Sequence, residues 1–163
     1  VVVAGNDENL AAIDLDATVT AINLNGKNGV LMDAANAHNR VVAKNGGTYT
    51  ITDTATNLSN ANFDKAGSSD DAESVTVEIQ GNAENLTEID LDTTVTNINL
   101  NGKTGVILDM GNIGTRSITA GGGSYLVRDA ATNLTSIDLT AAPNNNPNAT
   151  SVCLLYTSPS PRD

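Results

Sequence analysis

The chain repeats itself, and a repeat of fixed period constrains the possible folds more than any other feature of this sequence. The segment ENLAAIDLDATVTAINLNGKNGV begins at Glu8 and returns as ENLTEIDLDTTVTNINLNGKTGV at Glu84, which is 76 residues later. Aligned without gaps, residues 1–58 and 77–134 are identical at 32 of 58 positions. We therefore divide the chain into a first repeat unit, residues 1–76, and a second repeat unit, residues 77–152.

The last eleven residues, Cys153 to Asp163, do not follow the repeat. They read CLLYTSPSPRD and contain the only cysteine of the chain. This string resembles, residue for residue, the translation of a transposase adapter used in preparing sequencing libraries. We interpret residues 153–163 as a non-native tail produced by adapter read-through and leave it out of the fold prediction. Because the chain also begins in the middle of the pattern without Met, we predict a metagenomic fragment of a longer repeat protein.

Alternation of apolar and polar residues predicts short, half-buried strands in each unit. In TEIDLD and in NINLN, every second side chain is Ile or Leu, and Asp or Asn lies between them. Turns rich in Asn and Gly, such as NGKTG and AGGGS, separate these segments. The pattern predicts that the Ile and Leu residues of both units are buried, namely Ile13, Leu15, Ile22, Leu24, Ile89, Leu91, Ile98 and Leu100.

Short strands without long crossover helices predict an all-β fold and leave two architectures open. One is a parallel β-solenoid built from two 76-residue repeats, with short helical turns at its corners. The other is a row of tandem small β-sandwiches. Aromatic residues make up only 2% of the chain, which favours the solenoid because a sandwich usually fills its core with bulky rings. Asp53 suits a helix N-cap, with a helical turn through Leu58, and Asn6 and Asn82 suit the same role.

Composition excludes several classes of partner. The formal net charge is −11, which disfavours nucleic acid, since binding there requires Lys and Arg to neutralise phosphates. No apolar run approaches the ~20 residues of a membrane helix, so no membrane insertion is expected in this fragment. His38 is the only histidine, and Gly114 takes its place in the second unit. We interpret His38 as a solvated loop residue and not as a catalyst.

The segments TYTITDTATNLSNA and SYLVRDAATNLTSI resemble repeats of very large bacterial secreted or cell-surface proteins, which are described as adhesin-like β-solenoids. The resemblance implies an extracellular or cell-surface location and a role as a structural stalk or adhesive module. It brings no catalytic residues. The partners expected from it are further copies of the repeat unit and surface glycans or other cell-surface molecules.

A repeated pattern argues against an enzyme, because an active site is normally a single place. Two alternatives stay open: a fragment of a polysaccharide-active β-helix enzyme, and a calcium-binding or ice-binding surface module. No cofactor other than calcium is suggested. Its weak candidate ligands are two pairs of acidic residues on one predicted strand face, Asp14, Asp16, Asp90 and Asp92. Alternate residues of a strand spread their carboxylates ~6–7 Å apart, so we expect diffuse screening by calcium rather than a specific site.

Overall fold

A computed structural model describes residues 1–62, 72–114, 116–134 and 149–155. Within these ranges a short 3₁₀-helix, Leu10–Ala12, precedes ten β-strands and four α-helices. The strands are β1 (Ala21–Asn23), β2 (Val30–Met32), β3 (Val41–Ala43), β4 (Tyr49–Asp53), β5 (Ser74–Glu78), β6 (Asn97–Asn99), β7 (Val106–Leu108), β8 (Ser117–Thr119), β9 (Tyr125–Ala130) and β10 (Ala149–Leu155). The helices are α1 (Ala34–Ala37), α2 (Ala55–Asn60), α3 (Met110–Ile113) and α4 (Ala131–Leu134).

The described strands form three sheets, and every strand pair is parallel. The largest sheet has five strands in the order β2-β4-β5-β6-β8. A three-stranded sheet has the order β10-β9-β7, and β1 pairs with β3 in the third. Paired residues are close in sequence, from Val30 with Tyr49 to Leu126 with Ser151. Each strand therefore lies against a strand of a neighbouring segment of the chain.

The prediction of an all-β fold is wrong. The described residues are mixed α/β, with four α-helices beside the parallel sheets, and their strands do not form a closed solenoid. The sandwich alternative is also wrong, because β-sandwiches consist of antiparallel sheets. The physical reason lies at the strand ends, where a capping side chain supplies an acceptor for the first free N–H groups of a helix. Asp33 and Asp109 accept from the N–H of Asn36 and Asn112 in this way and start α1 and α3.

The helix expected after Asp53 is present as α2, although its N-cap is Thr54 and not Asp53. The two asparagines proposed as further caps have another role. The side-chain oxygen of Asn6 accepts from the N–H of Asn28, and that of Asn82 accepts from the N–H of Thr104. These bonds connect one turn to the turn about 22 residues later, in agreement with the parallel register of neighbouring strands.

Elements of the first unit recur 76 residues later in the second. Strands β1 and β6, strands β2 and β7, and helices α1 and α3 begin at equivalent positions. Strand β5 contains the boundary between residues 76 and 77, and it pairs with β4 on one side and with β6 on the other. One sheet therefore continues from the first unit into the second.

Burial follows the predicted pattern except at the IDLD segments. Six of the eight residues behave as expected or nearly so: Ile22, Leu24, Ile98 and Leu100 are 0% exposed, Leu91 is 4% exposed, and Ile89 packs against the core. Leu15 is likewise only partly buried, whereas Ile13 is 47% exposed, so its predicted burial is wrong. One core cluster includes residues of both units, with Tyr49 and Tyr125 as its largest side chains.

Glycine allows a close approach between successive turns. A Cβ on Gly47 would lie 2.2 Å from the carbonyl oxygen of Lys27, and a Cβ on Gly123 would lie 2.2 Å from that of Lys103. Both distances are far below van der Waals contact, so the backbones could not pack as they do with any larger residue. Asparagine has a related role at the preceding turns, where Asn25 and Asn101 adopt positive φ.

Strand β10 extends across the predicted start of the non-native tail. Its backbone pairs with β9 as far as Leu155 opposite Ala130, with an irregularity in register between Ala149 and Ser151. Residues 156–163 lie outside the described residues. The interpretation of residues 153–163 as adapter read-through stays a prediction.

Candidate functional site

The two IDLD segments, proposed as strands that carry calcium ligands, are turns and extended chain. Asp14, Asp16, Asp90 and Asp92 are all exposed. The Asp16 carboxylate accepts from the N–H of Thr18 at 2.8 Å and from its hydroxyl at 2.7 Å. Those bonds, the hydroxyl first, lower the pKa of Asp16. Asp92 likewise accepts from the N–H of Thr94 at 2.8 Å, so one carboxylate of each pair is engaged within its own turn.

A buried arginine holds each IDLD segment in place. Arg116 is 7% exposed and donates five hydrogen bonds, all to main-chain carbonyl oxygens. Two of them go to Leu91 and Asp92, at 2.7 and 2.9 Å, and a third goes to Val95 at 3.1 Å. The other two reach the carbonyls of Gly111 and Asn112. The guanidinium thus joins α3 to the IDLD segment and satisfies carbonyl groups that no neighbouring strand pairs with.

Arg40 repeats this arrangement in the first unit. It is 7% exposed and donates to the carbonyl oxygens of Leu15, Asp16, Val19 and Ala35. Three of these four carbonyls are the equivalents of those bound by Arg116 in the IDLD segment of the second unit. The arginine contact is therefore a property of the repeat unit.

A buried asparagine lies one helical turn before each arginine. The amide of Asn36 donates to the carbonyl oxygens of Leu10 and Ile13, both at 2.8 Å. Asn112 donates in the same way to the carbonyl of Leu86 at 2.7 Å. We call each pair the Asn–Arg clamp: Asn36 with Arg40 in the first unit, and Asn112 with Arg116 in the second.

Acidic side chains near the second clamp offset the burial of its charge. Burial lowers the pKa of Arg116, while Asp92, Asp90 and Asp109 act in the opposite direction. Burial also raises the pKa of Asp109, against the hydrogen bond that it accepts from the Asn112 N–H. The carboxylates of the IDLD segment are therefore part of the electrostatic environment of a buried structural guanidinium.

A second repeated arrangement joins successive helices. Asp53, at the end of β4, accepts from the N–H of Ala34 at 3.0 Å, at the start of α1. Its other oxygen accepts from the N–H of Thr54 and from the side-chain amide of Asn57, both at 2.7 Å. One carboxylate thus holds the N-terminal ends of both α1 and α2.

Asp129 makes the equivalent contacts in the second unit. It accepts from the N–H groups of Met110 and Ala130 and from the side-chain amide of Asn133. Burial alone would raise the pKa of Asp129, but these three hydrogen bonds together outweigh it and lower the pKa below the ordinary 3.8.

The predicted calcium ligands do not assemble into a larger acidic cluster. Among the described residues, no three His, Cys, Asp or Glu side chains lie close enough together to hold a metal ion. The weak calcium binding proposed for these carboxylates stays a prediction.

His38 lies at the C-terminal end of α1, beside a cleft of 540 Å³ that Asp14, Asp16 and Arg40 also line. Its Nδ1 accepts from the N–H of Asn62 at 2.8 Å, and its Nε2 lies 2.8 Å from the Asn39 amide. The cleft contains the only histidine of the chain, but the Arg40 donors described above bind main-chain carbonyls. The arrangement orders the C-terminal end of α1.

The outer face of the five-stranded sheet carries a row of uncharged polar residues. Thr52, Thr76, Asn97 and Ser117 occupy matching register positions on four neighbouring strands. All are at least partly exposed, and strand spacing places them about 4.8 Å apart. The row mixes Thr, Asn and Ser, so it is not a uniform threonine array.

No protein-family model matches this chain, no curated protein matches it, and no solved structure matches it. Within the described ranges, none of the helices has the length and hydropathy that a membrane span requires.

Proposed function

We propose that this chain is a segment of a large extracellular repeat protein, where it has a non-enzymatic role as a structural stalk or adhesive module. The observation that carries the proposal is the continuity of one sheet across the unit boundary, with β5 shared between the two units. Units connected in this way do not move as separate beads on a linker. Repeats that bury their core by stacking on their neighbours produce stiff, extendable assemblies.

The repeated contacts support a role that depends on the number of units. Both units have the Asn–Arg clamp and the carboxylate that joins two helices. Every added unit would bring the same stabilising contacts without a new site. In this proposal the partners along the chain are further copies of the unit.

The uncharged row on the five-stranded sheet supports an adhesive role. Most of the surface belongs to a chain of net charge −11, which repels anionic partners. Hydroxyl and amide groups at regular spacing offer donors and acceptors to a neutral polar partner such as a surface glycan. The extracellular or cell-surface location belongs to the same proposal.

The test joins residues 1–152 head to tail in proteins of two, four and six units and measures their maximum dimension by small-angle X-ray scattering. We expect the dimension to grow by a constant increment per unit. Thr76→Pro at every boundary removes a donor in the middle of β5 and should end the linear growth. Thr76→Ala keeps the N–H and should not. Growth that levels off in the unchanged protein, or is the same in the proline variant, would overturn the proposal.

A further inference from the structure

Three described asparagines stand in the acceptor sequence for N-linked glycosylation, Asn-Xaa-Ser/Thr. They are Asn57 in NLS, Asn85 in NLT and Asn133 in NLT. A fourth such asparagine, Asn148, lies outside the described residues. The sequence motif treats these asparagines alike, but their side chains have different contacts.

The side-chain nitrogens of Asn57 and Asn133 are engaged. Each Nδ2 donates a hydrogen bond of 2.7 Å to a carboxylate, that of Asn57 to Asp53 and that of Asn133 to Asp129. These are the carboxylates that join successive helices. Because hydrogen bonds to charged groups are strong, both nitrogens are held away from an incoming sugar.

The amide of Asn85 has the opposite arrangement. Asn85 is exposed, and its Oδ1 accepts from the N–H of Thr87 at 3.1 Å and from the Thr87 hydroxyl at 2.9 Å. Nδ2 is the other branch of the same amide, and it donates to no atom of the described residues. The next residue, Leu86, is 0% exposed and anchors the segment in the core.

We propose that Asn85 is an acceptor site for N-linked sugar on the folded protein. The co-substrate class is a sugar activated at C1 by a nucleoside diphosphate, used by an asparagine glycosyltransferase. Nδ2 of Asn85 bonds to C1 of the sugar, and the bond between C1 and the diphosphate oxygen breaks. The nucleoside diphosphate leaves with the electron pair, and the proton of Nδ2 passes to a base of the transferase.

The first unit offers a matched control. Its equivalent of Asn85 is Asn9, which is also exposed, but Ala11 stands where the second unit has Thr87. Asn9 therefore has the same place in the repeat without the hydroxyl that the motif requires. Ala11→Thr supplies that hydroxyl and should create a second acceptor in the first unit.

The test treats the folded chain with a soluble asparagine glucosyltransferase and a nucleoside diphosphate glucose, and measures the hexose at each site by peptide mass spectrometry. Peptides from a digest of the same chain serve as the unfolded reference. On the folded chain, we expect Asn85 to react at least about tenfold faster than Asn57 or Asn133, since both of those must first break a bond to a carboxylate. In the digest the difference should largely disappear.

Variants keep the outcome specific to the motif. Thr87→Ala should abolish labelling at Asn85, and Thr87→Ser should preserve it. The proposal is overturned if Asn85 of the folded chain takes up no glucose, or if it reacts no faster than Asn57. It is also overturned if labelling at Asn85 survives in Thr87→Ala.

Discussion

The contribution of the arginine clamp can be measured by replacing Arg116 with methionine, which is of similar length but has no donor. Three of the five carbonyl groups that Arg116 binds take part in fully buried hydrogen bonds, those of Leu91, Val95 and Asn112. Leaving a buried acceptor without a partner costs about 1 kcal/mol or more, so we expect a loss of about 3 kcal/mol in the free energy of unfolding. With the usual urea dependence of a small protein, the midpoint should fall by about 1–3 M.

The assay is equilibrium unfolding in urea, followed by far-ultraviolet circular dichroism. Arg128→Met is the matched control, because Arg128 is an exposed arginine of β9 and its loss should change stability by no more than about 0.5 kcal/mol. Arg116→Lys keeps the charge but loses the planar set of donors, so it should recover only part of the loss. If Arg116→Met is no worse than the control, the clamp is not a stabilising contact. If Arg116→Lys is fully stable, the nearby carboxylates and not the carbonyl hydrogen bonds account for the effect.

Three further measurements test other contacts. Gly123→Ala places a Cβ against the backbone of Lys103 and should cost about 1–3 kcal/mol in urea unfolding, whereas Gly81→Ala, with no atom within 4 Å, serves as the control and equal losses would contradict the packing argument. The lowered pKa of Asp129 means that its stabilising contribution is present above pH 3.8 and is lost as the pH falls through the folded-state value. Asp129→Asn should therefore flatten the acid dependence of the urea midpoint, and an unchanged profile would refute this. Calcium and magnesium at equal ionic strength should raise the melting temperature equally, since we expect screening of the acidic surface, and a calcium-specific rise would show a site.

The repeat period and most of the core could be predicted from the sequence, because each depends on a local pattern. Ile22, Leu24, Ile98 and Leu100 alternate with polar residues in segments that include real strands, and all four are fully buried. The same reasoning failed at IDLD, where alternation is equally regular. There, the carbonyl oxygens bind an arginine from about 24 residues away in place of a neighbouring strand, and no local pattern reports such a contact.

The helices were missed because they are too short for periodicity to reveal. The α-helices have four to six residues, whereas a helical pattern needs about ten or more residues to be distinguished from a strand. A different signal was present. Between residues 31–45 and their equivalents 107–121, the two units are identical only at Asp33, Asn36 and Arg40. Two of these form the clamp and the third caps its helix.

The short sequence distance between paired strands has a consequence for how the chain acquires its structure. Backbone partners are separated by as little as 19 residues, as for Val30 and Tyr49, and by no more than 25, as for Leu126 and Ser151. Each new segment therefore finds its partner in the segment that was synthesised just before it, and no strand must wait for the distant end of the chain. Contacts of low sequence separation form quickly. A growing chain of this kind can fold progressively from its N-terminal side during synthesis, exposing one unpaired strand edge at a time, whatever the number of units that follow.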